Sequence, residues 1–314
     1  MSFKEFTSHL NERLIQSCKK NDSEDVLFCL QQGADVNINC KDEDGTTFTG
    51  LSIAASRNNP ELVDLLLARG ADVNKTTLYK YFEDDDLQES TPLMIASHHG
   101  HHKIVKRLLQ VHGIDILFGD SSGWTALHLC AASGSKDCLE EFAKIQDSRV
   151  NWNCVDSLGE TPLFHSVGNS NSDCVKFILS QPGINPNIQN DDSDTPILWC
   201  LKEMDRNMME ELKCHLDNMD FPMPMVGDFE FKHMEDLMKI VKIFLDCPNL
   251  IELDSAIAWA KEQAAEHKSS SWARRWRTEI VEQMSRALES RAVDGKKRNI
   301  GSDNTPEAKR RKDS

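Results

Sequence analysis

Residues 91–116 read TPLMIASHHGHHKIVKRLLQVHGIDI. The Thr91 hydroxyl is an N-cap acceptor, Pro92 suits a first helical position that needs no N–H, and Leu93, Ile95 and Ala96 open an apolar face. Gly100 accommodates the left-handed backbone that ends a helix. Ile104, Val105, Leu108 and Leu109 then recur at helical spacing as far as Gly113. The spacing predicts two short helices joined by a tight turn. Neither buries its apolar side alone, so the unit requires copies of itself on either side.

Copies lie in both directions. Toward the N-terminus, GLSIAASRNNPELVDLLLARGADVN ends at Asn74, and LNERLIQSCKKNDSEDVLFCLQQGADVN ends at Asn37. The latter lacks a Thr-Pro start and is studded with charge, as an outermost repeat facing water should be. Toward the C-terminus, DSSGWTALHLCAASGS begins at Asp120, DSLGETPLFHSVGNS at Asp156 and TPILWCL at Thr195. The loop ends Asn37, Asn74, Leu117, Asn153 and Asn187 fall in register at steps of 37, 43, 36 and 34, and the helix starts Thr91, Thr125, Thr161 and Thr195 at steps of 34, 36 and 34.

A turn and two helices repeating near this length resemble the ankyrin-repeat family over roughly residues 7–250. The motifs are Thr91-Pro92-Leu93, Thr161-Pro162-Leu163, Thr195-Pro196-Ile197, Leu127-His128-Leu129, Gly100-His101, and Gly33-Ala34-Asp35-Val36-Asn37 repeated as Gly70-Ala71-Asp72-Val73-Asn74. The resemblance implies an all-α solenoid of helix–turn–helix units with short β-hairpin fingers. About six units are expected over residues 1–250, with insertions at 75–90 and 205–233, then a helical cap over 251–293 and a disordered basic tail over 294–314. In the cap, Trp272, Trp276, Ile280, Met284 and Leu288 form one helical stripe, which turns Arg274, Arg275 and Arg277 toward solvent.

Charge divides the chain. Residues 1–294 hold 29 Lys plus Arg against 48 Asp plus Glu, a net charge of −19, whereas the last 20 residues carry 7 basic and 3 acidic side chains. So acidic a body repels phosphate backbones and favours basic partners. No apolar run approaches the roughly 20 residues of a membrane span, and MSFKEFTSHL lacks the apolar core of a signal peptide. Ten cysteines without a C-x-x-C pair read as reduced thiols.

Chemistry has little foothold in the sequence. The run His98-His99-Gly100-His101-His102 is the most metal-like local feature, but Gly100 breaks the single helical face that a zinc pair at four-residue spacing needs. There is no phosphate-cradling glycine loop, no G-x-S-x-G elbow and no nucleophile with an assignable His and acid. Catalytic residues, metal ligands and cofactors are therefore not expected, and the chain reads as a non-catalytic interaction protein.

The family's variable positions, which line its inner surface and finger tips, map onto Arg57, His98, His99, Ser121, Ser122, Trp124, Ser157, Leu158, Glu160, Asp191, Asp192 and Asp194. Trp124 is the foremost expected anchor, since exposed tryptophan concentrates binding energy. The 75–90 insertion lengthens one finger. Tyr79, Tyr81 and Phe82 beside an acidic run are either aromatic anchors for a basic partner or part of a solvated loop. Eight of the eleven methionines lie between Met204 and Met238, either as an adaptable binding surface or as filling beneath a long loop. In the tail, Lys296-Lys297-Arg298 precedes Lys309-Arg310-Arg311-Lys312 by ten residues, a spacing that resembles a bipartite import signal read by a nuclear import receptor.

The expected protein is thus a nuclear scaffold or regulator, shuttling with the cytoplasm, that holds a partner protein with a basic segment. A ubiquitin-ligase substrate adaptor is the first alternative, although no ligase-docking box is legible beyond residue 250. A nucleic-acid-associated factor using the basic tail is the second.

Overall fold

The computed structural model describes residues 3–81, 86–145, 149–203, 206, 232–247, 250, 253–265, 278, 281–282 and 284–286. The chain divides into two compact units, Met1–Ile184 with Ile188–Ser193, and Asn185–Asn187 with Asp194–Ser314.

The first unit is built of helix pairs: α1 (Phe3–Lys20) and α2 (Ser23–Gln31), α3 (Gly50–Ser56) and α4 (Pro60–Ala68), α5 (Pro92–His98) and α6 (His102–Leu109), α7 (Ala126–Ala132) and α8 (Lys136–Lys144), α9 (Pro162–Gly168) and α10 (Ser172–Leu179). The first helices pack in one layer in the order α1, α3, α5, α7, α9, and the second helices form another in the order α2, α4, α6, α8, α10. Between the layers lies a continuous core that includes Leu51, Leu62, Leu66, Leu93, Ile95, Ile104, Leu108, Leu129, Phe142 and Ile178, each at most 1% exposed. The predicted 91–116 unit is present as α5 and α6, with Thr91 Oγ1 accepting Met94 N–H at 3.3 Å and Gly100 at φ +68°.

Two devices fix one repeat to the next. At the loop ends, an asparagine amide bridges forward. Asn37 Oδ1 accepts Asp72 N–H at 2.7 Å while its Nδ2 donates to Gly70 O at 3.3 Å. Asn74 repeats this with Asp115 N–H (2.9 Å) and Gly113 O (2.8 Å), and Asn153 Nδ2 donates to Gly183 O at 2.9 Å. Leu117 occupies the same register and has no amide to offer. At that joint Arg149 NH1 reaches back to Ile114 O at 3.0 Å. At the inter-helix turns, His101 Nε2 bonds Ser56 O (3.1 Å) and Asn171 Nδ2 donates to Ala131 O (3.0 Å). Gly134 lies at φ +72°, and a Cβ there would sit 2.6 Å from Asn171 Oδ1, so the turn and its bridge together demand glycine.

Fingers connect the pairs. Strands β1 (Cys40–Lys41) and β2 (Thr47–Phe48) form one antiparallel hairpin, and β3 (Thr77–Tyr79) and β4 (Gln88–Ser90) form the longer one expected from the 75–90 insertion. The N-terminal pair is closed by Arg13, whose Nε and NH2 bond both carboxylate oxygens of Asp25.

In the second unit, residues 196–203 are helical (α11), followed by α12 (Lys232–Asp246) and α13 (Leu253–Ala265). Its buried residues include Ile197, Cys200, Ile240, Phe244, Ile257 and Met284. The methionine-rich residues 207–231, Trp272, Trp276 and the basic tail from residue 294 lie outside the described residues. The nine described cysteines are free thiols, and no described helix is long and apolar enough to cross a membrane.

Candidate functional site

Charge is sorted by element. The first helices α3, α5, α7 and α9 contain no Asp, Glu, Lys or Arg. The second helices α4, α6, α8 and α10 balance, with six acidic and six basic residues. The described finger residues of the first unit, 38–49, 75–81, 86–90, 118–124, 154–160 and 188–193, carry ten acidic side chains against three basic. The acidity of this unit's repeats is thus concentrated along its fingers.

Those fingers form a connected row. Thr47 Oγ1 accepts Leu78 N–H at 2.7 Å, Ser121 Oγ bonds Gln88 Oε1, Ser157 N–H donates to Ser122 O at 2.9 Å, and Asp191 N–H donates to Leu158 O at 2.9 Å. Ser121, Ser157, Leu158, Asp191 and Asp192 are exposed at the tips, while Ser122 and Glu160 are half-buried. Leu158 is 58% exposed and Val155 in the same finger 50%. Arg57, the C-cap of α3, is also exposed.

The aromatic expectations change on the structure. Tyr81, expected as a free anchor, is only 9% exposed: its hydroxyl donates to Ser90 Oγ at 2.7 Å and its ring lies 5.1 Å from that of His98. The base of the long finger therefore folds onto α5. Tyr79 is half-buried, with its hydroxyl 2.6 Å from His99 Nε2, and Phe82 lies outside the described residues. His98, His99 and His101 form a run of neighbouring rings, the last two stacked 5.4 Å apart. Partial desolvation, then the neighbouring His98 and His101, lower the pKa of His99 to about 4, so it is neutral at pH 7 although one edge is exposed.

Trp124 is half-buried, not free-standing. Its N–H bonds Asp120 Oδ1 at 2.9 Å, and its indole lies 4.1 Å from the ring of His165 in the next repeat. His165 Nε2 is in turn 2.8 Å from Asp156 Oδ2, while Asp156 Oδ1 accepts the N–H groups of Leu158 and Glu160, both at 2.9 Å. Burial alone would raise the pKa of Asp156, but the bonds from His165, Glu160 and Leu158 outweigh it and leave the carboxyl below its usual value. The equivalent carboxyl of the preceding finger, Asp120, has no histidine partner, and desolvation leaves it raised. Asp194 also departs from expectation. It is 5% exposed and its Oδ1 accepts from Lys202 Nζ at 2.5 Å within the second unit, so it is not a surface contact.

Asp156, Glu160 and His165 bring three metal-ligating atoms within 4.8 Å of one another, a cluster missed in the sequence. Both Asp156 oxygens are already hydrogen-bonded, and Glu160 Oε1 lies 3.4 Å from Asn190 Nδ2. What the cluster does visibly is hold the imidazole against Trp124. The only sequence signal was a histidine one residue beyond the Leu127-His128 register, at His165 after Phe164. His128 itself is fully buried. Its Nδ1 accepts Thr125 N–H at 3.1 Å and its Nε2 donates to Glu160 O at 3.2 Å. Desolvation, then His165, lower its pKa to about 4.

Comparison with known proteins matches residues 51–151 to the family description "Ankyrin repeats (3 copies)" and residues 158–191 to "Ankyrin repeat". Ankyrin repeat and SOCS box protein 6 of Mus musculus is 38% identical over 106 residues, which cover 33% of this chain and 22% of that protein. Putative E3 ubiquitin-protein ligase XBAT31 of Arabidopsis thaliana is 28% identical over 141 residues (41% and 28%). Putative ankyrin repeat protein FPV031 of Fowlpox virus is 26% identical over 172 residues (54% and 47%). The chain thus spans less than half the length of each. Ankyrin repeats are generally interaction modules that present extended binding surfaces to other proteins. The helix pairs, their asparagine joints and the matched segments agree: residues 51–151 and 158–191 of this chain are ankyrin repeats.

Proposed function

We propose that this chain is a non-catalytic scaffold or regulator that holds a partner protein against the first-helix layer and finger row of its first unit. The observation that carries this reading is a row of linked fingers presenting half-buried Trp124 and exposed Leu158, with exposed Arg57 and His99 at the C-caps of α3 and α5. Tryptophan presented on a pre-packed support is a strong anchor, because little side-chain entropy remains to be lost on binding. A central Trp124→Ala should weaken a partner by about 2 kcal/mol or more. Proximity labelling with the intact chain and with Trp124→Ala/His99→Ala tests it, and an identical set of labelled partners would place the contact elsewhere.

The site of action in this reading is the nucleus, with shuttling to the cytoplasm. Its support is the pair of basic clusters at 296–298 and 309–312, which fits a nuclear import receptor. A fluorescent fusion with all seven basic residues replaced by alanine should lose nuclear accumulation. A second reading, as a ubiquitin-ligase substrate adaptor, draws on the names of two relatives, but those matches cover 22% and 28% of their lengths. Ubiquitin-ligase subunits recovered with the intact chain would favour it.

A further inference from the structure

The middle of the finger row presents half-buried Trp124 and the exposed side chains of Val155 and Leu158, and carboxylates flank this apolar centre along the row. Each finger supplies at least one: Glu43 and Asp44, then Asp86 and Glu89, then Asp120, then Glu160, then Asp191 and Asp192. Of these, Asp44 is engaged with Thr46 and Asp120 with the N–H groups of Ser122 and Trp124, whereas Glu43, Asp86, Glu89, Asp191 and Asp192 stand exposed. Lys41, Lys75 and Lys80, the only basic side chains on the described fingers of this unit, all lie on its two N-terminal fingers. The complement to an apolar centre edged by negative charge is a segment with an apolar residue flanked by positive ones.

Geometry adds a register. Packed helices lie about 8–10 Å apart, and an extended chain advances about 3.3 Å per residue, so successive fingers meet about every third residue of a strand laid across them. Hydrogen bonds join each finger to its neighbour, so the finger backbones that bear the carboxylates are tied to one another.

We propose that the finger row docks an extended segment of its partner that carries arginine or lysine at three-residue intervals around a central apolar residue. This deepens the scaffold reading and rests on it. A globular partner held by shape alone would not need the charges, and a nucleic-acid strand is repelled by them.

The test uses the full chain and a fluorescent 15-residue peptide with arginine at every third position, a central leucine and glycine or serine elsewhere. Two peptides serve as controls, one with the same composition but contiguous arginines and one with glutamate in place of arginine. The periodic peptide should bind, the glutamate peptide should not, and the contiguous one should bind about fivefold more weakly. Raising salt from 50 to 200 mM should weaken the periodic complex several-fold. Asp86→Asn, Glu89→Gln, Asp191→Asn and Asp192→Asn combined should weaken it about tenfold, as expected for four exposed pairs, with an unchanged melting curve as the folding control.

Equal affinity of the periodic and contiguous peptides, or no loss in the fourfold variant, overturns the proposal. The same variant separates it from the broader reading. A cellular partner lost on Trp124→Ala/His99→Ala but retained by the charge variant leaves protein binding intact and removes the basic segment. A partner retained by both removes the two together.

Discussion

Two sets of contacts tie neighbouring repeats together, and they use opposite parts of the residue. At the loop ends, the Asn37 and Asn74 side chains commit both donor and acceptor to the next repeat's backbone. At the finger tips of the fourth to sixth repeats the backbone makes the joint, Ser157 N–H to Ser122 O and Asp191 N–H to Leu158 O, and the side chains stay outside. Cohesion is therefore carried by side chains at the loop ends and by the main chain between these last three fingers, whereas the two earlier finger joints use Thr47 and the Ser121–Gln88 pair. The fingers joined by main chain are free to vary their tip side chains without loosening the stack, and Leu158, Asp191 and Asp192 stand exposed there.

The contrast is broken most severely from beneath. Phe142 is 1% exposed in α8, and Phe142→Ala should cost about 3–5 kcal/mol in denaturant unfolding, because the site loses both the ring's transfer energy and its packing. Such a loss would disable both rows at once.

Acid comes next. His128 links Thr125 to the carbonyl of Glu160 in neutral form, with a folded pKa near 4 against about 6.5 unfolded. Because the folded value is depressed, its contribution is complete above pH 6.5 and is lost as pH falls toward 4. Between pH 7 and 5 the stack should lose about 2 kcal/mol from this group. His99 adds a smaller effect of the same sign, discounted for its exposure. Melting of His128→Gln followed over that range should show a shallower pH slope, and an unaltered slope would assign the acid sensitivity to other groups.

The joints themselves are worth less. Asn74→Ala should cost about 1 kcal/mol for two partly exposed hydrogen bonds. The reverse change, Leu117→Asn, should gain roughly 0.5–1 kcal/mol by supplying the missing amide. Smallest of all is the effect of the finger charges on folding. Asp191→Asn with Asp192→Asn should stay within about 0.5 kcal/mol of the parent in stability while weakening the basic peptide, which separates recognition from cohesion directly.

Much of the fold was legible because each repeat announces itself locally: a Thr cap, a Pro at the first helical position and a glycine turn recur at nearly constant spacing. The long finger was legible for the same reason, as a departure from that spacing. Contacts between repeats were not. Tyr81 beside an acidic run reads as solvent-facing, and its burial against His98 depends on how the hairpin folds back. Trp124 was expected as a free anchor, but the imidazole under it comes from a residue 41 positions later, held by a carboxylate that sequence alone could not pair with it. Asp194 sits in a run of aspartates and still turns inward to Lys202. Net charge was plain from composition, while its concentration along the fingers of the first unit became visible only once each residue had an element.

The Leu117 register has one more consequence. In an array whose members touch only their neighbours, cooperativity is limited by the weakest link, since a break there separates two blocks that each keep their own internal contacts. The link after the third repeat has no asparagine amide; in that register Arg149 reaches back to Ile114 instead, beside the Ser133 Oγ bond to Ser97 O and the Ser121–Gln88 contact. Amide exchange should therefore show earlier opening of the loop-end backbone around Leu117 than around Asn37 and Asn74, whose side chains bridge to the next repeat.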